Sequence, residues 1–301
     1  MTISRAIPDS PVIRCAQQAS ARVGESPVWC PRDQVLYWTD IPSRLVYRLD
    51  PASGEVRSWS VPGRIGSFAL RADGTLVAGM EGHFVRVDLG AGLVETVATP
   101  EPGVWDNRMN DGRCDRSGRF FWAGTMHDVR PREARGALYR LAADGISTVH
   151  EQALCVSNGV AFSPDGTRMY HSDSARSTVW CMDYDARSGE PSNRRELIRL
   201  ETADGRPDGA AVDAEGCYWS ACFGGGQVLR ISPGGEILER LALPVRNPTM
   251  PAFGGPGLRT LYVTSASEPC SEEELAGMPL SGSVLAVELD VAGLPEPRFA
   301  G

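Results

Sequence analysis

The chain of 301 residues contains no lysine, so all 30 of its basic residues are arginine. That excludes a P-loop lysine, a Schiff-base lysine and a Ser–Lys dyad. None of the eight cysteines stands in a CxxC pair, which excludes zinc-ribbon and thioredoxin-like sites. Only four histidines occur and they form no HExxH, while GESPV is not the GxSxG of a serine-hydrolase elbow. Gly224–Gly226 and Gly254–Gly257 lack a following helical pattern, so they read as turns rather than phosphate cradles. No apolar run reaches the roughly 18 residues of a membrane-spanning helix. With 38 acidic residues the net charge is -8, a balance that repels phosphate backbones, so neither nucleic acid nor membrane is an expected partner. The opening MTISRAIPDSPVIRC has no apolar h-region. Scattered cysteines in short apolar stretches pack as small hydrophobes, and the expectation is a reduced, cytoplasmic protein.

Helical periodicity is also missing, apart from the single turn EEELAG at Glu272–Gly277. What the chain has instead is punctuation: 33 Gly and 22 Pro divide it into short β-branched and aromatic runs. QVLYWTDI, RLVYRLD and EVRSWSVP follow one another across PS and PASG turns, and RLVYRLD alternates with period two, as strands do. A strand, a D-x-x-G turn and an aromatic strand then recur, in SFALRADGTLVAGM, DGRCDRSGRFFWAGTM, NGVAFSPDGTRMYHSDS and GAAVDAEGCYWSACF. SPVWCPRDQVLYWTD precedes these and PAFGGPGLRTLYVTSA follows them. Equivalent positions at Glu25, Ser67, Asn110, Asn158, Asp208 and Thr249 are spaced by 42, 43, 48, 50 and 41 residues. Such spacing is what one four-stranded blade requires. The predicted fold is all-β: a six-bladed β-propeller of four-stranded antiparallel blades around a central channel. Residues 1–301 are read as one domain whose ring is closed by the N-terminal strand within residues 12–18. Trp and Tyr of the second strands (Tyr37, Trp38, Trp122, Tyr218, Trp219) are assigned to packing between blades.

Inner strands of a propeller all start at one end of the channel, so the six equivalent positions face one another. Glu25, Asn110, Asn158 and Asp208 then place two carboxylates and two amide oxygens in one ring. Crowded, desolvated carboxylates need a counter-charge. A hard divalent cation suits these oxygen donors, calcium, magnesium or manganese better than zinc. Asn-Gly and Asp-Gly pairs are ordinarily turn residues, and each of MNDG, SNGV and RPDGA alone would read that way. Their common phase in the repeat argues for a site.

GESPVW, RMNDGRCD, WAGTM, SNGVAFSPDG, PDGAAVDAEG and FGGPGLRTLYVTSA, in this order along residues 12–301, resemble the SMP-30/gluconolactonase/regucalcin-like family of sugar lactonases. The resemblance implies a six-bladed propeller with one divalent metal in its channel, Ca2+ first, with Zn2+, Mg2+, Mn2+ or Fe2+ as alternatives. It also implies metal ligands at Glu25, Asn158 and Asp208, and sugar contacts at Arg108 and Asn110. Where some members carry a substrate-binding Glu after GTM, this chain has His127, Asp128 and Val129. His127 and Asp128 are therefore taken as candidate substrate contacts, and GTMHD is more similar to bacterial sugar-acid lactonases than to animal regucalcins.

Lactone hydrolysis needs a polarised carbonyl, a water nucleophile and a proton acceptor. Asp208 is the candidate general base, and Arg108 and Asn110 orient the substrate hydroxyls. The expected activity is metal-dependent hydrolysis of aldonolactones such as glucono-, galactono-, arabinono- or xylonolactone by a monomer or weak homo-oligomer. Two alternatives remain at this point, a phosphotriesterase- or fluorophosphatase-like propeller hydrolase and a calcium-binding propeller without turnover. A polar clamp of Arg108 and Asn110 favours the lactonase.

Overall fold

Short runs separated by tight Gly, Asp and Pro turns pair most readily with their immediate neighbours, as antiparallel meanders. The computed structural model, which describes residues 11–301, follows that logic six times. Each sheet has four antiparallel strands, with innermost strands Gly24–Cys30, Ile65–Leu70, Asn107–Cys114, Ser157–Phe162, Arg206–Val212 and Pro248–Gly254, and in the first five sheets the innermost strand comes first in the sequence. The inner strands pack in a closed ring, the sixth against the first. This is the expected six-bladed β-propeller. Among the described residues the one α-helix is Glu272–Gly277, capped by Ser271 and Glu274 in a reciprocal box. Ile13–Gln17 pairs with Val284–Glu288 as the outer strand of the last blade, joining both ends of the chain in one sheet. No helix among the described residues is long and apolar enough to cross a membrane.

The second-strand aromatics do pack between layers: Trp38, Trp122, Tyr218 and Trp219 are fully buried, and Trp219 meets Phe253 of the next blade edge-on at 5.8 Å. All eight cysteines are unpaired thiols. The D-x-x-G aspartates are turn residues. Asp213 accepts from the N–H groups of Glu215 and Cys217 and from Trp219 Nε1 and Arg230 Nε, at 2.9–3.0 Å.

Two features position the channel residues. Every inner strand carries a register shift near its start, at Glu25/Val28, Ile65/Ser67, Met109/Gly112, Asn158/Ala161, Pro207/Ala210 and Pro248/Pro251. A bulge re-aims the side chain beside it. The glycines of SNGV and PDGA therefore belong to bulged strands rather than to turns. Gly159 has φ +64°, and a Cβ there would overlap the Tyr218 hydroxyl, so the inner strand of the fourth blade meets the second strand of the fifth this closely only because it is glycine. The far end of the channel is covered by the C-terminal segment. Ala214 N–H donates to Ala292 O, Phe299 N–H to Leu70 O and Ala300 N–H to Gly118 O, each at 2.8 Å.

Candidate active site

At the end where the inner strands begin, the channel opens into a cavity of about 500 Å³. Glu25, Asn110, Asn158 and Asp208 all line it, each supplied by a different blade, and Arg108 lies beside them. Of the six equivalent positions, Ser67 and Thr249 are absent from the lining. Thr249 instead braces the site: its hydroxyl donates to Gly24 O at 2.6 Å, one residue before Glu25.

Second-strand aspartates hold the chain as it enters two of these positions. Asp40 accepts from the N–H groups of Arg22 and Val23, both at 3.1 Å, ahead of Glu25. Asp173 accepts from Cys155 and Val156 at 3.0 and 3.1 Å, ahead of Asn158. A chain of polar contacts then links the blades. Arg108 Nη1 donates to Asn110 Oδ1 at 2.7 Å. Asn110 Nδ2 donates to Asn158 Oδ1 at 2.7 Å and to Ser157 O at 2.9 Å. Asn158 Nδ2 donates to Ser174 Oγ at 2.7 Å, whose hydroxyl donates to Pro207 O at 2.6 Å, the residue before Asp208. Both amide groups are thereby locked in orientation, with Asn158 Oδ1 fixed between two blades.

The carboxylates are far less satisfied. Glu25 accepts from its neighbour Ser26 N–H at 2.9 Å, and Asp208 from Gly209 N–H. Burial, then the nearby charges of Asp208 and Asp111, push the Glu25 carboxyl well above its ordinary value. Burial, then Asp111, raises Asp208 likewise, with Arg108 and Arg132 opposing. Burial lowers the Arg108 guanidinium in turn, and Asp128 opposes that shift. Acids destabilised by burial and by one another, among fixed amide oxygens, form an all-oxygen donor set short of positive charge. That matches a hard divalent cation and does not match a thiolate- or imidazole-preferring metal.

His127 and Asp128 sit apart from the cavity lining. His127 is buried in the third blade, its Nδ1 accepting from Glu133 N–H at 3.0 Å. Asp128 is held by arginines: Arg64 Nη1 at 2.5 Å, Arg108 Nε at 3.4 Å and Arg132 Nη2 at 4.0 Å. It reaches the site through Arg108, whose guanidinium it anchors. His171 and Asp173 lie in the strand wall, His171 Nε2 with Ser157 Oγ at 2.8 Å.

Sequence reasoning missed four residues. Asp111 follows Asn110 in the bulge and is buried close enough to raise both Glu25 and Asp208. Its Oδ2 accepts from Val160 N–H at 3.0 Å, while Oδ1 has no hydrogen-bond partner. Arg130, Arg132 and Arg206 line the cavity mouth. Their signal was proximity to motifs already singled out: Arg130-Pro131-Arg132 follows GTMHDV, and Arg206 precedes PDG.

The family model of the SMP-30/Gluconolactonase/LRE-like region matches residues 23–267, a span that holds all six inner strands. The chain is 44% identical to the 6-deoxy-6-sulfogluconolactonase of Pseudomonas putida over 290 residues, covering 96% of this chain and 99% of that one. It is 38% identical to the L-arabinolactonase of Azospirillum brasilense, over 93% of this chain and 92% of that one. Its fold superposes on a calcium-binding protein, regucalcin, from Agrobacterium tumefaciens with a TM-score of 0.91 at 30% identity, covering 96% and 97% of the two chains. A match through every blade, with relatives aligned from end to end, means that the chain belongs to the SMP-30/gluconolactonase/LRE-like family.

Proposed function

We propose that the protein is a carboxylic ester hydrolase that opens sugar-acid lactones, with Glu25, Asn158 and Asp208 holding one divalent cation, Ca2+ in the first place. The observation that carries this reading is the pair of buried carboxylates, Glu25 and Asp208, left with only backbone donors in a cavity of about 500 Å³. That volume suits a small polar ligand. Relatives named for lactonase activity, at 44% and 38% identity, support the same chemistry.

A bound cation would supply Lewis-acid polarisation of the ester carbonyl. The chain's own residues supply the rest. The Asp208 carboxylate takes the proton of the attacking water as its oxygen adds to the carbonyl carbon. The same proton passes to the ring oxygen when the ring C–O bond breaks, leaving the open aldonic acid. Arg108, anchored by Asp128 and pointing one Nη at Asn110 Oδ1, presents its remaining donors to substrate hydroxyls. Asn110 gives both amide hydrogens to Ser157 O and Asn158 Oδ1, so it acts mainly by holding Asn158.

A pH-stat panel of aldonolactones on chelated and cation-reconstituted protein tests the proposal. Chelation is expected to abolish hydrolysis and a divalent ion to restore it. Full turnover of metal-free protein would refute the cation's role, and absence of turnover on every lactone would refute the activity.

A further inference from the structure

Three cationic side chains at the cavity mouth have no part in the hydrolysis described above. Arg130 and Arg132 lie just beyond the second strand of the third blade, Phe120–His127, and Arg206 opens the inner strand of the fifth. Other arginines of this face are neutralised: Arg22 by Glu268 at 2.7 Å, and Arg64 by Glu81 at 2.7 Å and Asp128 at 2.5 Å. Among the described residues the side chains of Arg130 and Arg206 make neither a hydrogen bond nor an ion pair. Arg132 reaches only Asp128, at 4.0 Å, a carboxylate already engaged by Arg64 and Arg108. These guanidiniums are also crowded. Burial, then Arg108 and Arg130, and more weakly Arg206, lower the Arg132 guanidinium, with Asp128 opposing.

The charges are segregated by depth. Glu25 and Asp208 are buried on the channel floor, while Arg130 and Arg206 are exposed at the rim and Arg132, its side chain 34% exposed, lies beside them. A neutral polyol would leave the crowded rim uncompensated. A tetrahedral or planar oxyanion would compensate it, because guanidinium forks match such oxygens in bidentate fashion.

The geometry points to an anion subsite built by Arg130, Arg132 and Arg206, receiving a sulfonate, phosphate or carboxylate carried on the end of the lactone remote from its ring ester. This rests on the lactonase reading for which end of the substrate lies deep. The subsite itself is independent of it. The protein therefore selects acidic aldonolactones over their neutral parents.

The test compares kcat/KM on gluconolactone with that on its 6-sulfonate, 6-phosphate and 6-carboxylate counterparts, for the unaltered protein and for Arg132→Gln and Arg206→Gln. At least one anionic lactone is expected to exceed the neutral one by about tenfold or more, the worth of a charge-assisted contact. Either substitution should bring that ratio towards unity, chiefly through KM. Which of the three groups is preferred identifies the anion. A ratio near one in the unaltered protein, or variants that lower all substrates alike, overturns the subsite.

Calorimetry with the 6-sulfonate and 6-phosphate of methyl glucoside, and with methyl glucoside itself, separates the two readings. Anion-dependent binding that weakens in both variants supports the subsite even if no lactone is hydrolysed. Equal binding of the charged and neutral glucosides overturns it even if lactones are hydrolysed.

Discussion

At the closed end of the channel, Arg113 donates to Val160 O at 3.2 Å and to Ala210 O at 2.6 Å and pairs with Glu296. At the open end, Glu25 and Asp208 each have a single backbone donor, and the side chains of Arg130 and Arg206 have no partner among the described residues. Both ends bury charge at the centre of one ring, yet only voids of about 10 Å³ remain at the first, against about 500 Å³ at the second. The C-terminal segment makes the difference. It lays Glu296 against Arg113 and seats Phe299 in the cluster of Phe84 and Phe121, so that end is finished as a core. The open end keeps charges that only a ligand would satisfy, which is how a binding site differs energetically from a structural ion pair.

The contrast can be broken from either side. Asp208→Asn keeps an oxygen donor and removes most of the basicity, so turnover is expected to fall by about 10²–10⁴ in initial-rate assays while a cation still binds. Near-normal turnover with cation bound would remove Asp208 from the base role. Glu296→Ala strands a buried guanidinium and should cost about 3–5 kcal/mol in denaturant titrations. Hydrolysis per folded molecule should stay at the unaltered level. If instead catalysis fails while stability holds, the two ends are coupled rather than separate.

Smaller effects sharpen the comparison. Arg108→Ala is expected to raise KM about tenfold for hydroxylated lactones, the loss of a charge-assisted contact, and to change a plain lactone less. Equal losses on both would exclude a hydroxyl clamp. The last prediction concerns stability in the absence of any cation. The Glu25 and Asp208 carboxyls are raised in the folded state above their unfolded value of about 4. The folded form thus binds more protons, and their contribution to stability is lost as pH rises from about 4 towards neutrality. Glu25→Gln should therefore raise the Tm of cation-free protein at neutral pH and flatten its decline from acidic pH. A lower Tm would mean that the ionised Glu25 is satisfied within the fold.

Much of this was legible in residues. All but the last blade are made of four consecutive strands, so period-two alternation, D-x-x-G punctuation and a 41–50-residue repeat were enough to specify six of them. The common phase of Glu25, Asn110, Asn158 and Asp208 placed four cavity residues together, because that repeat maps sequence position onto height along the channel. Phase alone could not separate Ser67 and Thr249, which share the position but not the cavity. Nor could it tell that Asp128 would be occupied by Arg64 and Arg108, 64 and 20 residues away in the chain.

The amino-acid sequence by itself thus determined the blade count, the strand order within each blade and the end of the channel where acids and amides gather, all consequences of local pairing repeated in register. Tertiary structure alone decided which charges are quenched and which are left for a ligand. The Arg113–Glu296 closure and the meeting of Arg206 with Arg130 and Arg132 depend on segments remote in the chain. Electrostatic satisfaction is a property of distance in space, which the order of residues does not encode pair by pair.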